Sequence, residues 1–88
     1  MKRPEYDVKV IGSNLRRLRQ ARNLTVEEVR QYLCLGSVQA VYKYETGVSL
    51  PQADTMLALM ELYNAGPRDL VGKEAASEED SLSFLLVI

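Results

Sequence analysis

The sequence predicts an all-α fold, a small bundle of four or five short helices, and three features predict it. From Ile11 onward, apolar side chains recur at helical rather than alternating spacing. Helix start and stop signals (Thr or Ser caps, Asn, Gly and Pro) punctuate the chain at short intervals. The chain has 88 residues, 47% of them apolar, which is enough for one compact domain and too few for two.

In order, the first element is the exception. Tyr6-Asp7-Val8-Lys9-Val10 alternates polar and apolar after Pro4, which predicts a short strand or extended arm over residues 1–10. A helix follows from Ile11, with Ile11, Leu15, Leu18 and Arg22 on one face. Gly12-Ser13-Asn14 leaves its start open, and Asn23, which tolerates the left-handed conformation, ends it. Thr25 opens the second helix as a cap, and Glu28 three residues on completes a capping box; Val29 and Leu33 share its buried face. After the break at Leu35-Gly36-Ser37, a third helix runs to Glu45, with Ser37 as its cap and Gly47 supplying the positive φ that stops it. The fourth begins near Pro51–Asp54, carries Met56, Leu57, Leu59, Met60 and Tyr63 as the expected centre of the core, and stops at Ala65-Gly66. Pro67 then starts one further turn through Val71.

Residues 72–81 are polar and acidic and read as a linker, whereas Leu82–Ile88 turns apolar. Such an end is expected to leave water. Its candidate partners are helix four or five, or Tyr6–Val10 as a paired strand, within one chain or between two. The resulting division is an arm over 1–10, a helical domain over 11–71, and a linker with apolar tail over 72–88.

Charge is unevenly distributed. Residues 1–50 carry nine basic and five acidic side chains, net +4; residues 51–88 carry two and seven, net −5. The overall charge of −1 therefore hides a basic front, and a polyanion is held locally because screening confines its attraction to about a Debye length. With no histidine and one cysteine, the sequence offers no zinc cluster, no internal disulfide and no partner base for a Ser or Cys nucleophile. No catalysis, metal, cofactor or small-molecule effector is expected. No apolar run approaches the ~18 residues that span a bilayer, and MKRPEYD lacks a signal-peptide core, so a cytoplasmic location is expected.

Three fragments in order carry a resemblance: Arg19 in the first helix, LT-x-EE before the second, and YKYETG followed by LP after the third. Together they make residues 11–71 similar to the helix-turn-helix domain of phage-repressor-like regulators, the Cro/cI or Xre group. The resemblance implies a lambda-repressor-like bundle whose second helix crosses the DNA major groove, with its amides toward a phosphate, and whose third helix reads it.

By helical period, Ala40, Val41 and Tyr44 face the core, while Ser37, Val38, Gln39, Tyr42, Lys43 and Thr46 face outward. Gln39 can donate to and accept from adenine at once. Lys43, on the same face, suits a phosphate before a guanine. Tyr42 can touch backbone or a thymine methyl, or only pack beside the helix; Val38 is a further candidate DNA contact, and Thr25, Ser37 and Thr46 are candidate phosphate contacts. Arg19 and Glu45 match a pair that the family uses as a partly buried ion bridge orienting the reader helix.

Against the family pattern, the turn LCLGSV is one residue longer than usual, Arg30 stands where a small Ala is common, and Val26 replaces a phosphate-contacting Gln. Cys34 takes the usual turn-glycine position and reads as a small, buried or half-buried residue. The loop Val48-Ser49-Leu50 lacks basic residues. Weak binding by one chain is the consequence, which a homodimer with two readers about 34 Å apart would offset on double-stranded DNA. The expected function is a sequence-specific transcriptional regulator, most simply a repressor. The competing class is a protein-interaction module or antitoxin-like partner with little or no DNA binding.

Overall fold

Five helices follow one another in the computed structural model, which describes residues 1–72. They are α1 (Val8–Ala21), α2 (Val26–Leu33), α3 (Val38–Glu45), α4 (Ala53–Tyr63) and α5 (Pro67–Val71). Among the described residues there is no strand, and no helix is long and apolar enough to cross a membrane. The linker and tail assigned to residues beyond 72 lie outside the described residues.

The strand or extended arm expected over residues 1–10 is corrected to helix from Val8 onward, while residues 1–7 stay outside any helix. Asp7 caps α1 by accepting a hydrogen bond from the Lys9 amide at 2.9 Å, and the helix starts three residues before Ile11. The alternation misleads because Val8, Ile11 and Leu15 also fit steps of three and four, and burying Ile11 and Leu15 fixes the helical period. Val8–Val10 are therefore helical and not the strand that was expected, while the tail proposed as its partner lies outside the described residues.

The other ends obey local chemistry. At α2 both halves of the capping box are made: the Glu28 amide donates to Thr25 Oγ1 at 3.1 Å, and the Thr25 amide donates to Glu28 Oε1 at 2.8 Å. Asn23 adopts φ 58° after α1, and Gly47 adopts φ 78° after α3. The stop of α4 is one residue earlier than expected, at Asn64 with φ 53°. Asn reaches the left-handed region without needing the glycine that follows. Ser37 occupies the start of α3 in extended conformation, but its side chain makes no capping hydrogen bond.

The core is shared among the helices and is not centred on α4. Ile11 and Leu15 from α1, Val29 from α2, Val41 from α3, Leu59 and Tyr63 from α4, and Leu70 from α5 are buried together. Met56 and Met60 are only partly buried, and Leu57 is 64% exposed. Helix α1 packs on α3 and α5, and α2 packs on α3 and α4. Two polar ties reinforce α1 as the hub. Buried Asn14 donates to the Leu70 carbonyl at 2.6 Å, holding the five-residue α5 that could not stand alone. Arg22 donates to the Tyr63 carbonyl at 2.9 Å. Burial also pushes the Tyr63 phenol well above its ordinary value.

Candidate nucleic-acid interface

Helix α3 is fixed from behind by α1. At Gly12 the backbones come so close that an added Cβ would lie 2.5 Å from the Tyr44 carbonyl oxygen and 2.7 Å from that of Glu45. At Gly47 a Cβ would lie 2.8 Å from Lys9 Cα. An ion pair joins the same two helices further along α1. Arg19 Nε donates to Glu45 Oε2 at 2.7 Å, and Nη2 donates to Oε1 at 3.2 Å. The third arm, Nη1, donates to the Leu24 carbonyl at 2.9 Å, joining the entrance of α2 to the same node. The side chains are 12% and 4% exposed. The hydrogen bonds to Glu45 raise the Arg19 pKa above its ordinary value, with burial opposing. A two-pronged guanidinium–carboxylate contact fixes direction as well as distance.

With Val41 and Glu45 buried, the opposite side of α3 faces out. Ser37, Gln39, Tyr42, Lys43 and Thr46 are exposed there, while Val38 is half-buried. Thr25, Val38, Tyr42 and Thr46 come together in a cleft between α1, α2 and α3, alongside Arg16. Ser37, Gln39 and Lys43 lie on the outer surface, away from that lining.

Two hydroxyls expected to face a phosphate are already engaged. Thr46 Oγ1 donates to the Tyr42 carbonyl at 2.8 Å and so closes the end of α3. Thr25 Oγ1 is within reach of both the Glu28 amide and Glu28 Oε1. The Thr25 hydroxyl thus caps α2, and the Glu28 amide, one of the N-terminal amides expected to face a phosphate, serves the helix itself.

The long turn is also explained. Cys34 takes the left-handed conformation at φ 57° and is exposed, correcting its assignment as buried or half-buried. A residue at that corner points to solvent because the chain reverses around it. Arg30, at the family's small-residue position, braces the turn. Its Nη1 donates to the Leu35 carbonyl at 2.8 Å while the Leu35 amide donates back to the Arg30 carbonyl at 3.0 Å. The same guanidinium grips Glu27 at 2.6 Å and 2.9 Å. With a further bond from Gln31, this holds the Glu27 carboxyl down at about 2. Sequence reasoning passed over Arg16. The available signal was its place three residues before Arg19, on the same face of α1.

The comparisons with known proteins bear on the family and the fold. A family model described as a helix-turn-helix domain matches residues 10–72. The chain is 31% identical over 75 residues to the HTH-type transcriptional regulator ImmR of Bacillus subtilis, an alignment covering 85% of this chain and 58% of that relative's length. Among solved structures it is similar to the restriction-modification controller protein C.AhdI from Aeromonas hydrophila. That match has a TM-score of 0.64 and 28% identity and covers 73% of this chain and 96% of the other. The clp gene regulator ClgR from C. glutamicum shares the fold, with a TM-score of 0.67 at 18% identity over 84% of this chain and 95% of the other. The chain belongs to the helix-turn-helix domain family, in its phage-repressor-like (Cro/cI, Xre) group.

Proposed function

We propose that this chain is a DNA-binding transcriptional regulator that reads the major groove of a duplex with α3. The observation that carries the proposal is the two-sidedness of that helix. Its back is locked to α1 through Gly12 and the Arg19–Glu45 pair, and its front holds exposed Gln39 and Lys43 one turn apart. An α-helix fits the major groove, where base edges are distinguishable. Gln39 takes adenine N7 and N6; Lys43 takes a phosphate. Tyr42 and Val38 supply apolar contact to a thymine methyl, and Thr25 and Ser37 border the backbone. Arg19 and Glu45 orient the reader and touch no base.

The relatives' descriptions as a transcriptional regulator and a controller protein support the same reading. We assign the chain a repressor's role, blocking access to DNA from the cytoplasm as a homodimer, without catalysis or a small-molecule effector.

The test is a gel shift with a duplex recovered by selection from a random pool, at low and high salt. Binding should weaken steeply with salt. Gln39→Ala should flatten sequence preference more than it lowers affinity for unrelated DNA. Failure to recover any duplex would leave the protein-interaction reading in place of this one.

A further inference from the structure

We propose that the Arg16 guanidinium is the phosphate anchor of the cleft between α1, α2 and α3, gripping a non-bridging oxygen of the DNA backbone beside the groove that α3 enters. This deepens the DNA-binding reading and rests on it.

A phosphodiester carries negative charge and accepts hydrogen bonds without donating any. What it needs from the cleft is a free donor, preferably a cationic one. The hydroxyls beside Arg16 do not provide it. Thr46 gives its hydrogen to the Tyr42 carbonyl, and Thr25 is held in the capping box by Glu28. The Tyr42 hydroxyl brings a donor but no charge.

Nor are the neighbouring arginines available. Arg19 is spent on Glu45 and Leu24, and Arg30 on Glu27 and Leu35, while Arg17, which reaches Asn14, and Arg22, which reaches Tyr63, do not line the cleft. Arg16 is exposed and makes no hydrogen bond or ion pair among the described residues.

The cleft also contains two carboxylates, which would repel a phosphate if bare. Both are compensated: Glu27 by Arg30 and Gln31, Glu45 by Arg19. The positive charge that remains in the cleft is that of Arg16. Its position on the turn of α1 before Arg19 places it on the helix face that carries the ion pair to α3. A phosphate held there would fix the depth at which α3 sits in the groove.

The experiment measures binding of the full chain, Arg16→Ala and Arg16→Lys to two fluorescent duplexes over a range of salt. One duplex is the selected sequence and the other an unrelated mixed sequence. Arg16→Ala should reduce the slope of log affinity against log salt by about 0.9 per bound chain, equally on both duplexes. Arg16→Lys should keep the slope, because it keeps the charge. Both variants should melt as the parent does, since the side chain is exposed. An unchanged slope for Arg16→Ala on DNA that the parent binds would overturn the anchor while leaving the reading of α3 intact. A loss confined to the selected duplex would overturn it equally, by making Arg16 a base contact. If the parent binds neither duplex, the anchor and the reading of α3 fall together.

Discussion

Arg19 serves three acceptors from a nearly enclosed position, and removing it would strand the Glu45 carboxylate inside the protein. Arg19→Ala should therefore cost about 3 kcal/mol, which in a domain of this size lowers Tm by roughly 12 °C or more. Calorimetry checks this, and a melt within a degree or two of the parent would count against a structural role for the pair. A second residue-scale prediction concerns Glu27. Its carboxyl is held at about 2 against an ordinary 4.5, first by Arg30 and then by Gln31. A depressed folded-state pKa adds stability above the unfolded value and loses it as the pH falls toward the folded one. The Arg30 contact should persist at pH 4 and break only near pH 2. In an NMR titration of side-chain carboxyls, Arg30→Ala should move Glu27 up toward the ordinary range, with the Gln31 hydrogen bond still holding it somewhat below. The residue types and spacing of Arg19 and Glu45 were legible in the sequence because a resemblance pointed to them. Arg16 was not, since its importance depends on where its neighbours' hydrogen bonds go.

The start of α2 was readable because its cap is local and reciprocal. Thr25 and Glu28 lie three residues apart, and their mutual bonds need nothing from the rest of the molecule. Thr25→Ala should lower stability by about 1 kcal/mol in a denaturant melt. The start of α1 was misread because five alternating residues suit either period until Ile11 and Leu15 find their buried neighbours. Helix α4 was overrated because its apolar residues extend around the helix, and only packing decides that Leu59 and Tyr63 go in while Leu57 stays out. Gly12 is the clearest case of a residue whose reason is tertiary. In an isolated helix Ala would be better than Gly by about 1 kcal/mol. Here a methyl would press on the carbonyls of Tyr44 and Glu45, which are backbone and cannot swing aside. Gly12→Ala should therefore destabilise, by about 1–3 kcal/mol net of the propensity gain. A stabilised variant in thermal melts would show that α1 and α3 are less tightly apposed.

At the scale of the whole molecule, the order of five helices and the outward face of α3 followed from periodicity. The way the helices meet did not. Asn14 reaching the Leu70 carbonyl and Arg22 reaching that of Tyr63 join residues far apart in sequence, and no local pattern announces such ties. The basic half of the sequence supplies α1, α2 and α3, the helices of the proposed DNA face. The uncharged Val48-Ser49-Leu50 loop implies that one chain alone grips weakly. Light scattering should find the chain dimeric when bound to a palindromic duplex, with two copies of α3 about 34 Å apart. What most directly tests whether α3 is the reading element is a titration of the isotopically labelled chain with the selected duplex, followed through its backbone amides by NMR. The result predicted is that the largest shifts fall on residues 37–46 and around Arg16, with α4 and α5 nearly still. Shifts concentrated on α4 and α5, with residues 37–46 unmoved at saturation, would contradict it.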